Sequence, residues 1–166
     1  PTFPTVQLPN SMLRIYPERA DYTSERVNGL PIIVTNHRER SAFNLTPTQS
    51  EVLSPVIAYN YDNEEIHPYG FTVELDDNRM KAEYALSHQS AIYQLTFETD
   101  KQPYVLVNTR NGHIKVDGNA ISGYQKLDEQ TKVYLYIETQ ETPELVGVVT
   151  EGKIDSSKVD ADGQNA

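Results

Sequence analysis

The chain has 166 residues, which fits one ordinary domain that removes roughly 70% of its unfolded surface from water. Its formal net charge of −10, with only 14 scattered Lys and Arg, argues against nucleic acid and against an anionic membrane surface as partners. It contains no cysteine, and no apolar run approaches the ~18 residues that a membrane span needs.

The first third of the chain predicts an extended arm followed by short strands. Pro4, Pro9 and Pro17 exclude a helix in this opening stretch, and residues 13–15 mark a short strand. Residues 30–35 form a run that is apolar on both faces, which predicts a strand in the centre of a sheet. Further strands are predicted at residues 42–45 and 56–61, and the acidic residues 62–68 predict a solvated link.

Residues 69–108 carry the most regular pattern of the sequence, an alternation of apolar and polar side chains. Phe71, Val73 and Leu75 share one face of the first run, and the same period of two continues through three more runs joined by short polar turns. Helices would need spacings of three and four residues, which do not persist here. The pattern predicts an antiparallel meander with one buried face.

Beyond the meander, Asn111-Gly112 and Asp117-Gly118 are two-residue hairpin signals, because Asn, Asp and Gly tolerate the positive φ of such turns. A strand is predicted at residues 133–137 and another at 145–149. Apolar residues then nearly disappear, which predicts a mobile polar tail at residues 151–166 after a single domain at 1–150. About a dozen short strands predict an all-β fold of two packed antiparallel sheets.

Two groups of residues resemble the N-terminal part of glycoside hydrolase family 92, a family of calcium-dependent, exo-acting α-mannosidases. The first group is the opening series Phe3-Pro4, Leu8-Pro9, Met12 and Pro17. The second is the meander, with Tyr69-Gly70-Phe71, Met80-Lys81-Ala82, Tyr93-Gln94-Leu95 and Tyr104-Val105-Leu106 in the same order and with similar spacing. The resemblance covers residues 2–148 and implies a large β-sandwich, a supersandwich of the galactose mutarotase type.

The resemblance also implies how the chemistry is divided along the parent protein. Glycosidases of the usual type need two carboxyl groups, one acid and one base. In the resembling family these groups and the calcium ligands belong to a helical (α/α)6 domain that follows the β domain. This chain is therefore expected to carry no catalytic and no metal-binding residue, and to act with a C-terminal helical catalytic domain. The resemblance further implies an inverting enzyme in the periplasm, at the cell surface or secreted.

One loop carries the candidate substrate contacts, namely Asn36, His37, Arg38, Glu39 and Arg40. The resembling family has a Gly-Phe-Ser-His stretch near its sugar pocket at the corresponding place. Here Asn36-His37 stands for the Ser-His pair, the glycines are missing, and two arginines flank Glu39. Histidine and arginine side chains can bond sugar hydroxyls or a carboxylate, so the loop is predicted to contribute to the pocket.

Other candidates are interpreted mainly as structural. His67, His88 and His113 have no partner histidine at metal-ligand spacing and are expected to have ordinary surface or hydrogen-bonded roles. Asp76-Asp77 is expected to be a turn, and Glu64-Glu65 a solvated link. Aromatic faces can bind sugar, but the exposed strand tyrosines are interpreted first as ordinary residues of an amphipathic sheet. They are Tyr59, Tyr61, Tyr134 and Tyr136.

Two functional hypotheses follow from the sequence. The first is the N-terminal β-sandwich domain of an exo-acting α-mannosidase, with α-1,2 linkages as the candidate substrate, whose loop at residues 36–40 lines the pocket. The second is a non-catalytic carbohydrate-binding or assembly module that has kept the sandwich and lost the pocket signature.

Overall fold

A computed structural model describes residues 5–21, 23–34, 41–54, 56–76, 79–98 and 100–163 of the protein. These ranges contain strands and no helix, and hence no helix long and apolar enough to cross a membrane. The strands are β1 Arg26–Val27, β2 Leu30–Val34, β3 Ser41–Thr48, β4 Tyr59–His67, β5 Gly70–Leu75, β6 Met80–Leu86, β7 Ala91–Phe97, β8 Tyr104–Asn108, β9 Gly112–Asp117, β10 Ala120–Lys126, β11 Lys132–Glu138, β12 Val148–Thr150, β13 Lys153–Asp155 and β14 Asp160–Gly163. They form several antiparallel sheets, which confirms the predicted all-β fold of the sandwich class.

The chain divides into two compact units, where the sequence predicted one domain over residues 1–150. The first unit comprises residues 1–49 and 56–106, and the second comprises residues 50–55 and 107–166. The short segment 50–55 belongs to the second unit although it lies between two stretches of the first. Its Leu53 is buried, and the amide of Leu53 donates to the carbonyl of Gly152 at 2.9 Å.

The first unit contains the predicted meander as part of a five-stranded antiparallel sheet in the order β1-β4-β5-β6-β7. Phe71, Tyr84 and Tyr93 lie directly opposite one another on β5, β6 and β7, so their rings share one face. The Phe71 and Tyr84 rings stack at 4.8 Å between centroids. Leu75 and Val73 on the same face are fully buried, which confirms that this face of the meander is the core side.

Among the described strands, β2 lies at one end of a three-stranded sheet with the order β2-β3-β8, so the predicted central position is wrong. Leu30 and Ile32 of this strand are buried all the same. Apolar side chains on both sides of a strand show that its two faces are buried. A central position requires in addition a hydrogen-bonded strand along each of its two edges.

The acidic segment after Tyr61 is a strand and not the predicted solvated link. Strand β4 continues to His67 and pairs with β5, with a shift of register between Asp62 and Glu65. Asn63 lies at this β-bulge with a φ of 49°, and its amide group donates to Glu74 Oε2 at 2.6 Å. An extra residue in one strand changes which face the following side chains occupy. The bulge thereby turns Glu64 to the core side while Glu65 stays exposed.

The second unit contains a four-stranded sheet in the order β11-β10-β9-β14 and a β12–β13 hairpin. Strands β9 and β10 form the hairpin that Asp117-Gly118 predicted, with Asp117 opposite Ala120 and Gly118 at a φ of 61°. The other predicted turn is wrong, because Gly112 is the first residue of β9 and pairs with Gln125. Gly112 instead allows close approach, since a Cβ there would lie 1.8 Å from the carbonyl oxygen of Tyr124.

Residues 151–163 form two strands where the sequence predicted the beginning of a mobile polar tail. Strand β13 pairs with β12, and β14 pairs with β9, with Ala161 opposite Ile114. The amide of Val116 also donates to the carbonyl of Val159 at 2.7 Å. Strand pairing at a sheet edge uses backbone groups, which polar residues supply as well as apolar ones. Composition therefore gave no signal for these strands.

A carboxylate holds the turn between β10 and β11. Oδ1 of Asp128 accepts hydrogen bonds from the amides of Gln130 and Thr131 at 2.8 and 2.7 Å. These bonds favour the ionised carboxylate, and the bond from the Gln130 amide contributes most to lowering the pKa of Asp128 below its ordinary 3.8. Because the pKa of Asp128 is lower in the folded than in the unfolded state, its ionised carboxylate stabilises the fold above pH 3.8. This stabilisation is lost as the pH falls through the pKa of the folded state.

We therefore expect Asp128→Ala to lower the melting temperature at pH 7, and the difference from the wild type to shrink as the pH falls below 3.8. Thermal unfolding followed by circular dichroism between pH 2.5 and 7 measures this. Glu129→Ala, at the exposed neighbouring residue, is the control and is expected to leave the melting temperature unchanged. A loss for Asp128→Ala that is constant over the whole pH range would contradict the assigned role.

Candidate functional site

The loop predicted to contact sugar, Asn36, His37, Arg38, Glu39 and Arg40, lies outside the described residues, so its role remains a prediction. The described strands on either side fix where it begins and ends. Strands β2 and β3 are antiparallel, and Val34 lies directly opposite Ser41. The described backbone on the two sides of residues 35–40 is thus joined by strand pairing.

Two of the four candidate tyrosines, one buried and one partly buried, pack within the first unit. Tyr59 is 1% exposed, and its hydroxyl donates to the carbonyl of Pro47 at 2.5 Å. Burial raises the pKa of Tyr59, and the nearby charge of Asp76 raises it further. The ring of Tyr61 lies under the guanidinium of Arg19, 4.5 Å from ring centroid to Cζ. Tyr59 is therefore a core residue, and one face of the partly buried Tyr61 ring is covered by Arg19.

The other two tyrosines lie on the exposed face of the four-stranded sheet. Tyr134 and Tyr136 of β11 are 71% and 67% exposed. The register places Asp162, His113, Tyr124 and Tyr134 in one row across the four strands, because these residues lie directly opposite one another. The adjacent row on the same face contains Asp160, Lys115, Ser122 and Tyr136. We call the surface formed by these eight residues the tyrosine face.

Ring contacts connect the residues of the first row. The rings of His113 and Tyr124 are stacked at 6.1 Å between centroids, and those of Tyr124 and Tyr134 are tilted at 6.2 Å. Nζ of Lys132 lies 4.3 Å from the centroid of Tyr124, within the range of a cation–π contact. These neighbours hold Tyr124 in place, and Tyr124 in turn supports one side of Tyr134.

Three side chains able to bind a metal lie at the β14 end of the tyrosine face. Ligand atoms of His113, Asp160 and Asp162 lie within 4.8 Å of one another, a donor set that suits Zn²⁺ or Mn²⁺. Nδ1 of His113 and Oδ1 of Asp162 are 2.8 Å apart, so these two groups already bond each other. This contact explains the arrangement without an ion. The sequence assigned His113 a surface role but missed both aspartates, which it placed in the polar tail.

A second polar cluster lies on the core side of the meander. Glu64 forms an ion pair with Arg19, and the side chains are 17% and 11% exposed. The pKa of Tyr84 is raised, chiefly by burial and less by the nearby Tyr93 and Glu64, and burial also raises the pKa of Tyr93. Within the described part of the chain, neither tyrosine hydroxyl has a hydrogen-bond partner. Glu64 thus supports the fold and is not a free carboxylate for acid or base chemistry.

The remaining predicted positions have surface or turn roles. His67 is exposed and stacks on Tyr69 at 5.4 Å between ring centroids, and His88 is exposed in the β6–β7 turn, where its carbonyl accepts from the amide of Met12 at 2.7 Å. Asp76 occupies the β5–β6 turn with a φ of 57°, as predicted, whereas Asp77 lies outside the described residues. None of these three adds to the tyrosine face.

Comparison with known proteins bears on the chain as a whole. The family model described as "Glycosyl hydrolase family 92 N-terminal domain" matches residues 1–166. This match includes both compact units and the loop at residues 36–40. No match was found among curated proteins.

Proposed function

Because this chain belongs to the glycosyl hydrolase family 92 N-terminal domain family, we propose that it is the β domain of an exo-acting α-mannosidase, with α-1,2 linkages as candidate substrates. In this proposal the domain packs on a C-terminal helical domain that carries the catalytic carboxyl groups and the calcium ions. The β domain contributes the loop at residues 36–40 to the rim of the sugar pocket. Family membership is the observation that carries the proposal.

Partly exposed apolar strands support packing against a further domain. Strands β7 and β11 each end a sheet and carry apolar side chains that are only partly buried. These side chains are Tyr93, Leu95, Phe97, Val133, Leu135 and Ile137. Removing apolar surface of this kind from water is favourable, so packing against another domain would be stabilised by its burial. A helical domain that covers either strand would supply that burial.

The pairing of β2 with β3 on either side of residues 35–40 supports a role at the pocket. Paired strands give a loop fixed ends, and binding residues commonly lie on loops that a rigid scaffold positions. His37 and Arg38 offer a ring nitrogen and a guanidinium, which can donate to sugar hydroxyls. The domain would thus help to hold and orient the substrate, while the helical domain performs the hydrolysis.

We expect His37→Ala and Arg38→Ala, each made in the full-length protein, to lower kcat/KM for an aryl α-mannoside by about tenfold, as for the loss of one hydrogen bond to a charged group. The melting temperature should stay unchanged. Arg26→Ala, at an exposed position of β1, is the matched control and should change neither quantity. Wild-type kinetics for both loop variants would remove these residues from the site.

The parent activity itself is tested by the same assay on the full-length wild type. Release of mannose from an α-mannoside and its loss on chelation of calcium are the expected results. In the family this chemistry is exported, so we also propose a periplasmic, cell-surface or secreted location, which fractionation of the source cells would test.

A non-catalytic carbohydrate-binding or assembly module is the second candidate. The loop sequence favours it, because the glycines that accompany the Ser-His pair in the resembling family are replaced by charged residues here. Pocket contacts decide which sugar is accepted, whereas the scaffold does not. A full-length protein that retains glycans but releases no mannose would favour this candidate over the first.

A further inference from the structure

The tyrosine face exposes two large rings that the fold does not use for its own core. Tyr134 and Tyr136 alternate with Val133, Leu135 and Ile137, whose side chains point to the opposite face of β11. On that opposite face Ile114 and Gln125 are buried. The residues of that opposite face therefore form the core side of this sheet. Neither ring is needed to close the core, although both leave much of their apolar surface in water.

The two rings have the spacing of a binding platform. Residues two apart on a strand lie roughly 6.6 Å apart on one face, so Tyr134 and Tyr136 present neighbouring rings along β11. Tyr124 packs against Tyr134 and is itself held by His113 and Lys132. A ring that is already held in position loses little conformational freedom when a ligand stacks on it.

Polar groups that can bond hydroxyls flank the rings. Ser122 lies directly opposite Tyr136 on the neighbouring strand, and Lys115 lies opposite Ser122 on the next one. Asp160 follows opposite Lys115 on β14. Hydroxyl, ammonium and carboxylate groups together offer both donors and acceptors at the side of the aromatic surface. Aromatic surface beside a few polar groups is the composition that small-ligand sites use.

The charges of this sheet face nearly balance, although the whole chain has a formal net charge of −10. The exposed charged side chains on this face are Lys115, Lys126, Lys132, Asp117, Glu138, Asp160 and Asp162. Three lysines against four carboxylates attract neither a polyanion nor a polycation strongly. The complementary partner is uncharged, rich in hydroxyl groups, and able to present C–H surface to two rings.

We propose that the tyrosine face binds an uncharged glycan chain through residues other than those of the loop at 36–40. Tyr134 and Tyr136 provide the stacking surface, and Ser122 and Lys115 bond the hydroxyls of the sugars that lie on it. The inference rests on the proposed carbohydrate role of the parent protein. It adds a second contact with the substrate polymer, which holds the glycan close to the protein between cleavages and raises its effective concentration.

The test uses the full-length protein and a neutral α-mannan as the probe, with affinity electrophoresis in mannan-containing gels and titration calorimetry as readouts. We expect the double variant Tyr134→Ala/Tyr136→Ala to bind mannan about tenfold more weakly, which corresponds to about 1.4 kcal/mol for the two stacked rings together. Tyr134→Phe/Tyr136→Phe keeps both rings and should retain binding. Tyr69→Ala removes a ring that is 62% exposed in the first unit and is the matched control.

The outcomes separate this inference from the mannosidase proposal. Unchanged mannan binding by Tyr134→Ala/Tyr136→Ala, or an equal loss for Tyr69→Ala, would overturn the glycan site. A change of oligomeric state in the double variant, with mannan binding unchanged, would identify an assembly surface instead. Hydrolysis of a small aryl α-mannoside should be the same in wild type and double variant. If neither the wild type nor the double variant hydrolyses the aryl α-mannoside while the wild type still retains mannan, the mannosidase proposal fails and the glycan site stands.

Discussion

Replacing Gly112 with alanine is expected to destabilise the second unit by about 3 kcal/mol or more, in the upper range of overpacking effects. A Cβ at this position would lie 1.8 Å from the carbonyl oxygen of Tyr124 and 2.9 Å from the Cα of Gln125. Both contacts are with backbone, so no side-chain rotation relieves them. The hairpin strands β9 and β10 would have to separate at the point where Gly112 pairs with Gln125.

The region around Gln125 makes such a separation costly. Gln125 is 5% exposed, and its Oε1 accepts hydrogen bonds from Thr109 Oγ1 at 2.7 Å and from the Arg110 amide at 3.3 Å. Moving β10 away from Gly112 would strain or break these buried bonds, each worth roughly 1 kcal/mol. Gly112→Ala should therefore lower the urea midpoint of the full-length protein.

Gly118→Ala is the matched control in the same pair of strands. Nothing lies within 4 Å of a Cβ at Gly118, so only the backbone conformation resists the change. Its φ of 61° is unfavourable for alanine and predicts a cost of roughly 1–2 kcal/mol. Gly112→Ala should lose clearly more stability than Gly118→Ala in urea denaturation. The opposite order would contradict the close packing of β9 against β10.

Arg19→Met is expected to cost about 3 kcal/mol, because it leaves the Glu64 carboxylate on the core side without its partner. Both side chains of this ion pair are largely buried. Methionine keeps most of the apolar stem over Tyr61 but removes the guanidinium, including its contact with that ring. Removing one member of a buried pair costs more than removing both, so Arg19→Met/Glu64→Gln should recover part of the lost stability.

The exposed ion pair on β6 provides the control. Nζ of Lys81 and Oε1 of Glu83 lie 3.0 Å apart, and these side chains are 41% and 36% exposed. Surface pairs of this kind contribute roughly 0–1 kcal/mol, so Lys81→Met should leave the urea midpoint almost unchanged. Similar losses for Arg19→Met and Lys81→Met would show that the Arg19–Glu64 pair does not have the buried role assigned to it.

Periodicity predicted the parts of the fold in which local pattern and tertiary packing agree. Phe71, Val73 and Leu75 alternate with polar residues, and the structure buries all three on the core side of β5. The turn residues Asp117-Gly118 also predicted their hairpin correctly. In both cases the signal comes from neighbouring residues, because side-chain alternation and turn geometry are set within a few positions of the chain.

Long-range pairing decided the features that the sequence did not reveal. Asn63 adopts a φ of 49° at the bulge, and this single residue reverses the expected environment of Glu64. Asp160 and Asp162 are joined to His113 and Lys115 by backbone pairing between strands more than 40 residues apart. Such pairing depends on which sheet edge remains open after the rest of the chain has folded, and composition carries no record of it.

The sequence by itself determined an all-β chain, the antiparallel meander with its buried face, and the family to which the protein belongs, because each is encoded in the order and spacing of residues along the chain. Only the tertiary structure decided that Tyr59 is buried and Tyr61 is partly covered by Arg19 while Tyr134 and Tyr136 face solvent. All four tyrosines occupy alternating positions in strands. Which face of a strand is covered depends on contacts from distant residues, here Pro47 and Arg19, that no local pattern specifies.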